Sequence, residues 1–259
     1  MTAEPAILMK DVSFSYGREP AVESVTLTVG HGDFVGVIGP NGGGKTTLLR
    51  LMLGLIKPHS GSVTLLGGTP HATRHRVGYV PQETGLNKSF PVAVRDVTLM
   101  GLAGKRGLGK RFLRADYLKA DIMLERLGLS SVKNRPIGQL SGGQRQKALL
   151  ARAMVADPEM LFLDEPTASI DAAGSDELYE HLRLLNGTGV TVVLVTHNVG
   201  ILSRYVKSVA CVNKTLFFHP DGKIDQESVN KTFGCEVDLI AHGVPHRVFH
   251  AHEGDCRHD

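Results

Sequence analysis

Residues 39–46 read Gly39-Pro40-Asn41-Gly42-Gly43-Gly44-Lys45-Thr46, followed by Thr47. They fit the spacing G-x-x-x-x-G-K-[ST]. Upstream, residues 34–38 are a short apolar run of the kind that forms a strand buried on both faces. Downstream, residues 45–55 carry a helical pattern, which Pro58 and Gly61 are expected to end. A glycine-rich turn between a buried strand and a helix curls backbone N–H groups into a nest for anionic oxygens. The helix N-terminus adds about half a positive charge. Lys45 is placed to reach the β- and γ-phosphates of a nucleotide, and the Thr46 hydroxyl to ligate Mg²⁺.

Outward from this loop, residues 7–16 and 24–29 read as strands broken at Gly17 and Gly30, and residues 62–66 and 76–80 as two more. Residues 94–156 change character and favour helices over 94–102, 114–127 and 144–156. Such a block inside a strand-rich chain predicts an inserted subdomain. Alternation then resumes: a buried strand over 160–163, a helix over 174–185, a buried strand over 191–196, and two closing strands within 206–218. This order predicts an α/β fold with a mostly parallel sheet and helices on both faces.

The 259 residues, 42% hydrophobic and 21% charged, are enough for a sizeable core and exclude a disordered chain. No apolar run approaches the roughly 18 residues of a membrane span. The start of the chain lacks the pattern of a secretory leader. Three cysteines (Cys211, Cys235, Cys256) are too few and too scattered for a disulfide framework, so a cytosolic setting is expected. A net charge of +3 gives no ground for a nucleic-acid partner.

Leu140-Ser141-Gly142-Gly143-Gln144 opens a second helix. Ser141 and Gln144 suit a capping box, but two adjacent glycines weaken a helix. They make sense where a phosphate must approach the backbone closely. With this motif the chain resembles the ATP-binding cassette (ABC) family, over about residues 7–220 and with motifs in the family's order. The resemblance implies a RecA-like P-loop NTPase core, an N-terminal antiparallel β-subdomain and a helical subdomain inserted at about 84–156. The cassette would span 1–230, leaving a His-rich tail at 231–259. It also implies that ATP on the glycine loop of one chain is closed over by the Ser141–Gln144 signature of a second, so that a homodimer holds two ATP molecules.

Further positions carry over from the resemblance. Tyr16 corresponds to the aromatic that stacks on adenine, although by itself it reads equally as a core tyrosine. Gln82 corresponds to the glutamine that touches Mg²⁺ and the attacking water. Asp164, at the carboxyl end of a parallel strand, would hold Mg²⁺, and Glu165 would act as general base. Alone, that pair reads as an acidic turn. Asp171 corresponds to the loop coupling the two sites, or is an N-cap. His197 corresponds to the histidine that holds the γ-phosphate, or is structural beside Asn198. Gly43 stands where many members carry Ser, Ala or Cys.

The resemblance further implies an ATPase that energises two integral-membrane permease subunits from the cytoplasmic face of the cell membrane. Residues 86–92 and 97–101 and Gly243-Val244-Pro245-His246 resemble the group serving zinc, manganese and iron(II) importers, which implies an extracytoplasmic metal-binding protein in the same system. Residues 90–94 and the helix after them are candidate permease contacts, or subdomain core. The basic run from Lys105 to Lys119 is a solvated face or a weak lipid contact. Six of twelve histidines lie from His219 onward, which fits a regulatory metal site or merely a biased terminus. The alternative functions are a soluble cassette acting on ribosomes or DNA, a cassette for another substrate, and a nucleotide-gated module that does not hydrolyse.

Overall fold

The structure, a computed structural model, describes residues 4–82, 91–107, 109–168, 170–197, 204–222 and 232. Its centre is a six-stranded sheet of β3 (Phe34–Ile38), β5 (Val77–Val80), β6 (Met160–Asp164), β7 (Thr191–Val195), β8 (Ser208–Asn213) and β9 (Thr215–His219). The order is β5-β6-β7-β3-β8-β9, parallel except for the β8–β9 hairpin. Every residue of β3, β6 and β7 is buried, as their unbroken apolar sequences predict. Registers of Gly36 with Leu194 and Asp164 with Val195 bring the carboxyl ends of these three strands to one level.

The two faces of the sheet pack against different layers. Leu161, Leu163, Val192 and Leu194 join the core beneath α6 (Gly142–Met154) and α7 (Ala172–Gly187). Met160, Phe162, Val193 and Val195 point the other way, toward α1 (Lys45–Met52) and the second sheet. That sheet is antiparallel, in the order β2-β1-β4, from β1 (Ile7–Tyr16), β2 (Glu19–Val29) and β4 (Ser60–Leu65). A single turn, α2 (Pro70–Thr73), leads from β4 toward β5. Between β5 and β6 stand α3 (Val94–Met100), α4 (Ala103–Arg106), α5 (Arg114–Arg126) and α6. No helix among the described residues is long and apolar enough to cross a membrane.

Several boundaries differ from the sequence expectation, for local reasons. Helix α1 stops at Met52, before Pro58 and Gly61. Gly54 takes φ +65°, its N–H bonds the carbonyl of Leu51, and the Leu55 N–H bonds that of Arg50, a Schellman closure. Strand β2 begins at Glu19, because Tyr16 and Glu19 pair across the Gly17 turn. Helix α4 has no periodicity to betray it, being one turn long. Val94 and Val97 are fully buried and Val92 packs on the same core, whereas Pro91, Asp96 and Met100 are exposed. Phe90, residues 86–90, Asn198 and the tail residues other than Thr232 lie outside the described residues. Cys211 is buried in β8, among core residues.

Gly101, just past α3, shows how tightly the inserted helices sit. A Cβ there would lie 1.9 Å from the carbonyl oxygen of Arg152. Gly104 has open space. Gly101→Ala is therefore expected to cost about 1–3 kcal/mol through forced separation of α3 and α6, and Gly104→Ala to stay within about 0.5 kcal/mol of wild type. Urea midpoints of the two variants check this.

Candidate nucleotide-binding site

The glycine loop follows the carboxyl end of β3, and glycine is sterically required at Gly39 and Gly44. Gly39 has φ +153°, and a Cβ there would fall 1.9 Å from the Val212 carbonyl oxygen of β8. At Gly43 a Cβ would stand 2.9 Å from the same oxygen, so even the smallest side chain forces a shift. Gly44 caps α1 in the left-handed region. Lys45 Nζ donates to the carbonyls of Gly39 (2.9 Å) and Pro40 (2.8 Å). Burial lowers the pKa of this ammonium, against the opposing fields of Glu165 and Asp164.

A cleft of about 390 Å³ opens over the loop. Asn41, Gly42, Gly44, Lys45, Thr46 and Thr47 form its floor, Tyr16 one wall, and Gln82 and Glu165 the other. Tyr16 is 49% exposed, so it offers a ring face rather than filling the core. Support for that ring was invisible in the sequence. Phe14 meets Tyr16 edge-on at 4.9 Å and stacks on His59, and Arg50 Nη1 donates to Tyr16 Oη at 3.4 Å. These contacts join β1, α1 and the approach to β4, which no local pattern reveals.

The acidic wall comes from β6 and its neighbours. Asp164 is 1% exposed, takes a side-chain hydrogen bond from Thr46, and has no partner at Oδ1. Burial raises its pKa, further helped by Glu165 and opposed by Thr46, Arg50 and Lys45. A buried carboxylate oxygen without a partner, next to a threonine hydroxyl, is a donor set that fits a divalent cation. Glu165 has φ +46°, a strained value for a residue with a side chain, and its N–H is held by the Val195 carbonyl at 3.0 Å. Gln82 Nε2 donates to Glu165 Oε2 at 2.9 Å, and His197 Nδ1 lies 3.7 Å from that oxygen. Gln82, Glu165 and His197 thus converge on one point.

The remaining motif residues stand apart from the cleft. Ser141 caps α6 with a full capping box: Gln144 N–H donates to Ser141 Oγ (3.2 Å), and Ser141 N–H to Gln144 Oε1 (3.3 Å). Neither Gly142 nor Gly143 has positive φ, and a Cβ on Gly143 would make only an ordinary 3.6 Å contact with Ile170. The fold of this chain does not demand glycine at 143. Asp171 caps α7, its Oδ1 accepting from Gly174 N–H at 3.0 Å. Among the described residues no group of three or more His, Cys, Asp or Glu is placed to hold a metal ion.

The ABC transporter family pattern matches residues 22–168. A probable metal transport system ATP-binding protein of Thermotoga maritima is 35% identical over 95% of this chain and 98% of its own length. The zinc uptake system ATP-binding protein ZurA of Listeria monocytogenes is 39% identical over 82% of this chain and 84% of its own. The manganese transport system ATP-binding protein MntB of Bacillus subtilis is 36% identical over 90% and 94%. Among solved structures, a metal-chelate type ABC transporter in an inward-facing conformation matches with a TM-score of 0.80 and 27% identity, over 93% of this chain and 94% of that one. A dimeric bacterial ABC transporter cassette matches with a TM-score of 0.74 and 26% identity, over 85% and 100%. With its loop, strand order and inserted helices in place, the chain belongs to the ABC transporter family.

Proposed function

We propose that this chain is the ATP-hydrolysing subunit of a membrane importer for a divalent transition metal ion, and that two copies clamp two ATP molecules between them. One observation carries the dimer. The Ser141–Gln144 helix start, which fits a phosphate, does not line the cleft of its own chain. A second chain supplies it, and the glycine at 143 that the fold does not need is then explained by close approach of a γ-phosphate. The similar proteins named for zinc and manganese transport support the cargo, with zinc favoured.

In this reading the adenine stacks on Tyr16, and the triphosphate lies along the N–H groups of the glycine loop. Lys45 exchanges its two carbonyl partners for β- and γ-phosphate oxygens, regaining full charge compensation. Mg²⁺, held by Thr46 and Asp164 with Gln82 beside it, would neutralise charge on the phosphates. Glu165 Oε2 takes a proton from water as the water oxygen bonds to the γ-phosphorus and the bond to the β-bridging oxygen breaks, leaving ADP and phosphate. Gln82 and His197 fix the position of that carboxylate oxygen, and His197, 66% exposed on its side chain, also faces the γ-phosphate.

We assign the cassette to 1–230 and a His-rich tail to 231–259, and place the protein at the cytoplasmic face of the membrane, bound to two permease subunits that are served by an extracytoplasmic metal-binding protein. Partly supporting this, Leu113, Tyr117, Leu118 and Ile122 leave an apolar stripe of α5 exposed. The basic run adds less: Arg106 is paired with Asp116, Lys119 with Asp157, and Lys105 with the Ala156 carbonyl. Co-purification of the full chain with a membrane permease tests the assignment; recovery with ribosomes or DNA instead would replace it.

Glu165→Gln removes the proton acceptor but keeps the shape. It is expected to bind ATP, lower turnover by about 10²–10⁴-fold, and accumulate as a dimer by light scattering. Turnover at the wild-type rate would refute the base assignment. Asp164 gives a second expectation. Its raised pKa means the folded state favours the protonated form, so its stabilising contribution is full at low pH. That contribution is lost as pH rises past the ordinary carboxylate value and through the folded one. Asp164→Asn should therefore stabilise the nucleotide-free chain at pH 8 by about 1–3 kcal/mol, with the gain shrinking toward pH 4. Urea titrations at both pH values measure it.

A further inference from the structure

Gly42, Gly43 and Gly44 are consecutive, and residues without side chains offer little resistance to rotation of the peptides between them. A loop that receives a phosphate on its N–H groups needs those peptides set beforehand. The Gly43 carbonyl accepts a hydrogen bond from the Lys214 N–H at 2.9 Å. Lys214 is the one residue between β8 and β9, and it takes φ +58°, in the left-handed region that a residue with a side chain seldom occupies. Its side chain is exposed, so packing of that side chain does not impose the conformation. The backbone around it is tied instead. The Lys214 carbonyl accepts from the Glu23 N–H of β2 at 2.8 Å, and beside it Asn213 Nδ2 donates to the Thr232 carbonyl at 2.8 Å.

The peptide joining Gly43 to Gly44 is trans and planar, so its carbonyl and its N–H point opposite ways. With the carbonyl held by the β8–β9 turn, the Gly44 N–H is sent away from that turn. Gly44 lines the nucleotide cleft and caps α1. The same stretch of backbone is pressed from both sides: a Cβ on Gly43 would lie 2.9 Å from the Val212 carbonyl oxygen of β8, and one on Gly44 2.2 Å from the Ala21 carbonyl oxygen of β2.

We infer that Lys214 is a positioning residue for the nucleotide. Its backbone N–H, set by a left-handed turn, fixes the Gly43–Gly44 peptide so that the Gly44 N–H is presented to the triphosphate. The inference rests on the reading of residues 39–46 as the triphosphate site and adds a residue from the far side of β8 that the loop's own spacing does not indicate.

ATP hydrolysis by the full chain is compared for wild type, Lys214→Val, Lys214→Asn and Lys45→Ala, with thermal unfolding of each. Valine opposes the left-handed conformation, whereas asparagine tolerates it and lacks the ammonium. Lys214→Val is expected to raise KM for ATP by about fivefold or more. Its kcat at saturating ATP should stay within about twofold of wild type, because bound phosphate then holds the Gly44 N–H itself. Lys214→Asn should recover the wild-type KM. A merely structural role would lower the unfolding temperature of Lys214→Val and leave KM alone. If Lys214→Val does not fold, Lys214 is replaced by its α-hydroxy acid, which turns the N–H into an ester oxygen and keeps the side chain; the same rise in KM is expected. An unchanged KM in the folded valine or ester variant, while Lys45→Ala loses ATP, overturns this inference and leaves the nucleotide site standing. ATP binding unchanged in Lys45→Ala overturns the nucleotide site, and this inference with it.

Discussion

Three adjacent parallel strands, buried on both faces, hold their carboxyl ends at one level, and the chemistry of this protein depends on that. Strand β3 ends at the glycine loop, β6 at Asp164 and Glu165, and β7 just before His197. Because β6, β7 and β3 are neighbours in the sheet, residues more than a hundred positions apart in sequence arrive at one end of it. Hydrophobic side chains alternating to the two faces fix the register, and a one-residue slip would turn Asp164 away from Thr46. Placement by a rigid sheet is also what makes the site economical. Gln82, after β5, and Tyr16, at the end of β1, reach it from outside that trio.

The same arrangement carries energetic costs that are concentrated at the site. Lys45 and Asp164 are both charged groups taken partly out of water, and their pKa values move in the directions that burial dictates. Glu165 sits at positive φ with a full side chain. Gly39 presses its backbone against β8 so closely that no side chain fits, and a side chain at Gly43 would need its neighbours to shift slightly. In the nucleotide-free chain Lys45 is satisfied only by carbonyls of its own loop. A bound triphosphate would offer Lys45 anionic partners in place of those carbonyls, which is a physical reason to expect nucleotide to stabilise the fold.

Much of the architecture was legible from residues alone. Strand β3 and the buried strands β6 and β7 announce themselves as apolar runs, and the glycine loop by its spacing. The less legible features are those made by contact. Helix α1 ends at a Gly54 closure rather than at the more conspicuous Pro58. The support of Tyr16 by Phe14, His59 and Arg50 joins elements that only the fold brings together. Ser141 and Asp171 each admitted a capping role and a ligand role. The caps are present in the chain. Residues 90–94 and the helix after them read equally as contact surface or core; Val94 and Val97 are in the core, while Pro91, Asp96 and Met100 stay exposed.

The central claim is that a triphosphate lies along the loop from Gly39 to Thr46, with Lys45 as its principal cation. The most direct measurement is the equilibrium affinity of ATP for Lys45→Ala against wild type, with thermal unfolding of both as a check on the loop. A loss of about tenfold or more, the equivalent of roughly 1.4 kcal/mol, is predicted, with the fold retained. An unchanged affinity in a folded variant would place the nucleotide elsewhere and contradict the account.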